Sequence, residues 1–296
     1  MNSDTVQGRR DSRRRWMVFG VCGALLLAIA SGALWMGVGR DGQKLEYQSV
    51  VVLHPYSTDF PLTEKPISES GKWVGGSRAG ASLRAGGSIW RGGRLWGDVQ
   101  TSAGFAFGAG EPTEFGDPTA ILAGKWNADQ GAMAIVRIRH VPSGRCCHEV
   151  EVRLRTTISR WNITGYEAYC SVMPTQPYCH IARWNGPNGS YWNMETGKAD
   201  TYAVDGDVLE ATATGTNPTV IRFYKNGVKI LEARDTGSAG GGFGAYGPWT
   251  SGNPGIGFYD NPDNHWNEFG FSSFRATDEG DLLMSLRLIR NPDLPK

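Results

Sequence analysis

A chain of 296 residues with 41 glycines, 11 tryptophans and 40% hydrophobic residues can bury a core without relying on disulfides, and its turn-rich, aromatic-rich composition points to an all-β protein. The net charge of +1 conceals an asymmetry: residues 1–40 hold six arginines and two aspartates, leaving 24 basic against 27 acidic side chains elsewhere. That remainder has no surplus of positive charge with which to displace phosphate counterions, which excludes a nucleic-acid partner.

Residues 1–15 form a basic segment in which Arg9, Arg10, Arg13, Arg14 and Arg15 precede an almost uncharged run over residues 16–39. Positive charge ahead of about 20 apolar residues is what a membrane-crossing helix needs, with the arginines retained in the cytoplasm. Ala28-Ile29-Ala30 offers a small-x-small cleavage site, which would make 16–39 a signal peptide. Left uncut, the run continues through Leu34, Trp35 and Met36 and is a transmembrane anchor. Ser12-Arg13-Arg14-Arg15-Trp16 loosely resembles a twin-arginine export signal. Either way the rest of the chain is expected outside the cytoplasm: single-pass and tethered, or secreted if cleaved after Ala30.

The cysteines suit that compartment. Cys22 falls in the apolar run, leaving Cys146, Cys147, Cys170 and Cys179, which allow three pairings. Cys170 and Cys179 flank Ser171–Tyr178, whose Pro174 and Pro177 mark a loop, so a direct bond would staple a hairpin. An alternative joins Cys146 or Cys147 to the Cys170 or Cys179 strand. No CxxC or Cys-His spacing supports a metal site instead.

Residues 40–48 read as a linker and 49–280 as a single β domain, with 281–296 an extension or closing strand. Val50-Val51-Val52-Leu53 predicts a strand, as do Trp73-Val74, Ile89-Trp90, Leu95-Trp96 and Phe105-Ala106-Phe107 within a glycine-rich stretch. Alternation in Ala134–Arg139 and in Glu149–Arg155, around Pro142-Ser143-Gly144, predicts two antiparallel strands sharing a wet face. On that face Glu149 and Glu151 would stand in a charge ladder with Arg137, Arg139 and Arg153. Gly165–Cys170 and Cys179–Trp184 supply another pair. Asn226-Gly227 between alternating runs predicts a type I′ hairpin that sets Phe223 opposite Ile230 and Tyr224 opposite Lys229. Asp205 and Asp207 read as turn residues, and Leu282–Ile289 fits a strand or a short helix.

Taken in order, Thr164-Gly165-Tyr166-Glu167, Ile181-Ala182-Arg183-Trp184-Asn185-Gly186, Asp205-Gly206-Asp207-Val208-Leu209, Lys225-Asn226-Gly227-Val228, Ser251–Phe258 and Phe269–Phe274 resemble the concanavalin A-like lectin/glucanase superfamily. The likeness is to bacterial exported LamG- and laminarinase-type modules. It covers about Val50 to Asp278. It implies an all-β jelly roll of two antiparallel sheets, here preceded by the N-terminal hydrophobic helix, with a concave face that often holds glycans, in the bacterial cell envelope. The superfamily holds lectins, glycosidases, lyases and adhesive modules, so the fold leaves function open.

Laminarinase-like enzymes use Glu-x-Asp-x(-x)-Glu. Here Glu149-Val150-Glu151-Val152-Arg153-Leu154 supplies the first two acids but has Arg153 and Leu154 where the last belongs, which argues against carrying the chemistry over. Glu167 and Glu268, each beside aromatic residues, are the remaining catalytic candidates, because apolar neighbours raise a carboxyl pKa. Glycans bind to aromatic faces and planar amides, and Trp184, Asn185, Trp192, Trp249, Trp266 and Asn267 provide both. Asp260 and Asp263, in Asp260-Asn261-Pro262-Asp263-Asn264, are candidate ligands for a calcium ion, and no other cofactor is expected. The reading is of a tethered carbohydrate-binding module without catalysis. A glycoside hydrolase or polysaccharide lyase, and an adhesive module without a small ligand, are the alternatives.

Overall fold

The computed structural model describes residues 55–76, 97–109, 117–144, 147–159, 162–186, 190–238, 246–260 and 265–279. The chain divides into two units, Met1–Val51 and Val52–Lys296, and all described residues belong to the second. The predicted N-terminal helix, the strand at 50–53, Ile89-Trp90, Leu95-Trp96 and the 282–289 segment lie outside the described residues. Among those described, no helix is long and apolar enough to cross a membrane.

Among the described residues, fifteen strands form two antiparallel sheets. The eight-stranded sheet runs β13 (Val228–Asp235), β12 (Thr219–Lys225), β11 (Val208–Thr214), β6 (Gln130–Ile138), β15 (Phe269–Thr277), β4 (Ala106–Ala109) and β3 (Asp98–Thr101), with β1 (Tyr56–Thr58) also paired to β15. The seven-stranded sheet runs β10 (Tyr191–Thr196), β9 (Cys179–Gly186), β8 (Ile163–Ser171), β7 (His148–Ile158), β14 (Asn253–Asp260), β5 (Thr119–Leu122) and β2 (Trp73–Gly75). This is the all-β, two-sheet architecture that the superfamily resemblance implies.

The strands pack through alternate side chains, as period-two geometry requires. Val150, Val152 and Leu154 of β7, Ile181 of β9 and Ile256 and Phe258 of β14 face Ala134 and Val136 of β6, Phe223 of β12 and Phe271 and Phe274 of β15. The Phe258 and Phe271 rings meet between the sheets at 5.3 Å. Burying a phenylalanine of this kind stabilises the fold by roughly 2–3 kcal/mol relative to leaving it exposed.

The hairpin prediction holds in its turn and shifts by one residue beyond it. Asn226 and Gly227 have φ of 52° and 81°, the left-handed values a type I′ turn needs. Tyr224 pairs with Lys229 as expected, but a bulge between Phe223 and Tyr224, with Ile230 the extra residue on the other strand, sets Phe223 opposite Leu231 rather than Ile230. Asp205 and Asp207 are turn residues: Asp205 Oδ1 accepts the Ile138 N–H at 2.8 Å and Asp207 Oδ2 accepts the Val204 N–H at 2.7 Å. The Cys170–Cys179 disulfide is present across the directly paired positions of β8 and β9, which removes the alternative that tied either strand to Cys146 or Cys147. Cys147 is itself disulfide-bonded, and Cys146 lies outside the described residues.

The expected charge ladder does not form. β6 and β7 belong to different sheets, so Arg137 and Arg139 never come opposite Glu149 and Glu151. Arg137 instead reaches Asp205 at 3.4 Å, and the Arg139 guanidinium lies 3.9 Å from the Phe105 ring centroid. Alternation identified the strands correctly but carries no information on which neighbour each one takes.

Candidate functional site

Because Val150, Val152 and Leu154 point into the sandwich, Glu149, Glu151 and Arg153 point to the outer face of the seven-stranded sheet. The register sets Glu151 opposite Tyr169 and Arg153 opposite Glu167 on β8, and Tyr169 opposite His180 on β9. From β14, Gly257 stands opposite Glu151 and Tyr259 opposite Glu149. From β10, Tyr191 stands opposite Trp184.

This face is not the wet surface that its charges suggest. Arg153 is fully buried, and Glu151, Glu167 and Asp117 are each under 10% exposed. Arg153 Nη2 lies 2.5 Å from both Glu151 Oε2 and Asp117 Oδ1, and Nη1 lies 2.9 Å from Glu167 Oε2. The same Glu167 oxygen, Oε2, accepts a hydrogen bond from Trp184 Nε1–H. Gly257 makes room for the cluster, since a Cβ there would sit 2.1 Å from Glu151 Oε2 and 2.5 Å from Arg153 Nε.

Three carboxyls around one guanidinium, with Glu149 nearby, leave an excess of acid in a desolvated place. Removal from water, opposed by Arg153 and assisted by Glu167, pushes Asp117 up to about 7. Burial pushes Glu149 up to about 8, against the Tyr178 hydroxyl that donates to Glu149 Oε1 at 2.5 Å and with repulsion from Glu167 and Asp117. Glu151 is also raised, by burial first and despite Arg153. Burial disfavours the Arg153 charge as well, but Glu151, Glu167 and Asp117 outweigh it and hold the guanidinium above its ordinary range.

The accessible rim is aromatic. Tyr191 is 44% exposed and its ring lies 5.3 Å from that of Trp184. Tyr178 and His180 stack at 5.1 Å, with Tyr169 6.2 Å from the first and 5.2 Å from the second. Tyr169 O–H donates to Asn193 Oδ1 at 3.0 Å, and burial lowers His180 below its usual pKa, so it is neutral at pH 7. Tyr178, His180, Asn193, Tyr259 and Glu149 are half-buried, and burial raises Tyr259 to about 12. Flat rings beside fixed hydrogen-bonding groups are chemically matched to a sugar, which offers C–H faces and hydroxyls at once.

The sequence-chosen residues are dispersed over the sandwich. Of the six proposed ligand-binding positions, Trp184 alone lies on this face. Asn185 is buried on the opposite side, accepting from Arg183 Nε at 3.0 Å, and Trp192 stands there too, 5.2 Å from the Arg183 guanidinium. Trp249 donates from Nε1 to Trp184 O at 2.9 Å and packs against the core. Trp266 is buried over Gly108, where a Cβ would meet its ring at 2.4 Å, and its neighbour Asn267 is exposed.

Glu167 and Glu268 are not brought together. Glu167 is central to the seven-stranded sheet, whereas Glu268 precedes β15 of the other sheet and pairs with His265 Nδ1 at 2.8 Å. Asp260 is wholly buried, with Oδ1 2.5 Å from His148 Nδ1 and Oδ2 accepting the His265 N–H at 2.7 Å. Both oxygens are thus engaged in pinning the end of β14, which does not fit a calcium ligand. Asp263 lies outside the described residues, and among those described no group of three or more His, Cys, Asp or Glu is placed to hold a metal.

Asp117, Tyr169, Tyr178, His180 and Tyr259 escaped sequence reasoning as site residues, and Glu149, Glu151 and Arg153 were read there as a solvated strand face. One signal was present. Gly255 and Gly257 alternate with apolar Ile256 and Phe258, which leaves one face of that strand open for bulky groups from the strand beside it.

The fold and this face define a two-sheet antiparallel β-sandwich carrying a buried carboxyl–guanidinium cluster under an aromatic rim. Among solved structures, the chain is similar to the carbohydrate-binding module CBM66 from Bacillus subtilis at 11% identity and TM-score 0.38, over 73% of this chain and 97% of that one. It is similar to the metal-free Emp46p carbohydrate recognition domain at 9% identity and TM-score 0.45, over 76% and 96%. It is also similar to beta-agarase A in complex with oligoagarose at 11% identity and TM-score 0.42, over 76% and 92%. No protein-family model matches the chain, and no curated protein matches it.

Proposed function

We propose that the chain is an exported carbohydrate-binding protein of the bacterial cell envelope, tethered through residues 16–39, that holds a polysaccharide on the outer face of its seven-stranded sheet. The observation that carries this reading is the half-exposed rim of Tyr178, His180, Tyr191, Asn193 and Tyr259, set over a charged layer that is already internally paired. Rings whose positions are fixed from beneath present stacking surfaces at low entropic cost.

Binding without cleavage is favoured because the buried acids are engaged with Arg153. Asp117 Oδ1 and Glu151 Oε2 both lie 2.5 Å from the same Nη2, so these oxygens are no more than about 5 Å apart, closer than the separation at which an inverting glycosidase seats its water. Neither is free to attack. A second reading, glycoside hydrolysis, draws on Glu149: half-exposed and protonated near pH 7, it has what a general acid requires.

A glycan array with the full-length chain, followed by reducing-sugar release on each hit, separates these readings. The expected result is binding without release, weakened about tenfold by Tyr191→Ala through loss of one stacking ring. Silence across a broad array would sink the binding reading. Release abolished by Glu149→Gln would replace it with the hydrolase.

A further inference from the structure

We infer that the glycan held on this face bears no carboxylate or sulfate groups. The inference rests on the carbohydrate-binding reading and names the ligand class of the same site. Arg153 is the only lysine or arginine among the described residues of this face, and it is already shared by Asp117, Glu151 and Glu167 at 2.5, 2.5 and 2.9 Å. Its side chain is also fully buried, so the guanidinium cannot reach an incoming anion. His180, the other basic group there, is neutral because burial disfavours its charged form.

An anionic sugar would therefore shed its hydration against aromatic rings and the raised Glu149 carboxyl, with no lysine or arginine among the described residues of the face able to reach it. A neutral chain meets no such penalty. Tyr191 and Tyr259 offer ring faces and hydroxyls, Asn193 an amide, and Glu149 a protonated carboxyl that can both donate to and accept from a sugar hydroxyl. The same charge count weighs against a polyuronate lyase. Removing the proton α to a uronate carboxylate requires that carboxylate's charge to be neutralised, and no group on the described face is available to do so.

The test uses the full-length chain and the tightest uncharged polysaccharide found on the array. That polymer is titrated at pH 7 and 0.15 M salt in three forms: unmodified, with its C6 hydroxyls oxidised to carboxylates, and with those carboxylates methyl-esterified. Binding should weaken at least about tenfold on oxidation, since partly desolvating a carboxylate that gains no counterion exceeds that factor. Esterification, which removes charge while keeping the oxidised carbon, should restore affinity to within about threefold of the parent.

An oxidised chain that binds as tightly as its parent overturns the inference, as does a loss that esterification fails to reverse. An array whose hits are all polyuronates or sulfated chains also overturns it, while leaving the binding reading intact. No hits at all, or hits indifferent to Tyr191→Ala, overturn the binding reading itself.

Discussion

Replacing Arg153 by methionine keeps most of the side chain's length and apolar contact but removes the cation that Asp117, Glu151 and Glu167 share. Taking one partner from a buried ion pair costs about 3–5 kcal/mol, because the charge left behind has neither water nor a counterion. Here the penalty depends on pH. Arg153 lowers the pKa of Asp117, Glu149 and Glu151, so its loss lifts all three further above their unfolded values. The folded variant then holds protons that the unfolded chain has released, and its stability falls as pH rises. At pH 5 the carboxyls stay neutral in place, and the cost shrinks toward the roughly 1–2 kcal/mol of lost hydrogen bonds. At pH 8 the full 3–5 kcal/mol is expected. Urea denaturation of the full-length chain at both pH values, followed by tryptophan fluorescence, reads the difference. Arg222→Met is the control, since its half-buried pair with Glu232 at 3.2 Å is worth less than about 1 kcal/mol. A loss for Arg153→Met no larger than the control's, or equal at the two pH values, would refute a cluster organised on Arg153.

Three further outcomes follow from the same geometry. In the unsubstituted protein, Asp117 at about 7 and Glu149 at about 8 lie above the ordinary carboxyl range. The stability they contribute is fully present below about pH 4 and is lost as pH rises from there through the folded values, so the thermal midpoint should decline between about pH 5 and pH 8. A midpoint that rises over this range would contradict the raised carboxyls. Gly257→Ala places a methyl 2.1 Å from Glu151 Oε2 and 2.5 Å from Arg153 Nε. It should destabilise by about 1–3 kcal/mol in denaturant and weaken glycan binding together. A neutral result would mean that the layer above β14 is loose. Cys170→Ser opens the disulfide of sequence separation 9 and should lower stability by about 2–3 kcal/mol, measured against the same chain under reducing conditions, where the difference should vanish.

Local chemistry was legible before any fold was known. Alternation in Val150–Leu154 marked a strand, Asn226-Gly227 fixed a type I′ turn because both residues had to adopt positive φ, and Pro174 and Pro177 between Cys170 and Cys179 marked the loop of a stapled hairpin. Each depends on a few neighbouring residues. The period of two likewise placed Glu149, Glu151 and Arg153 on one face.

What that face meets is a different kind of question. A solvated ladder and a buried cluster have the same local sequence, and they differ only in which strands lie alongside. The Pro142-Ser143-Gly144 turn leads from β6 in one sheet to β7 in the other, so the partners of Glu151 and Arg153 come from β8 and β14 instead. Tryptophans were misplaced for the same reason: Trp192 and Trp184 stand on neighbouring strands with opposite facing, and only pairing decides which one looks outward. The sequence by itself determined the central strands and turns, because their causes act over a few residues, and offered the Cys170–Cys179 hairpin bond as one of several pairings. Tertiary structure alone decided that three acids and one arginine share a dry layer, because desolvation and ion pairing depend on strands far apart in the chain.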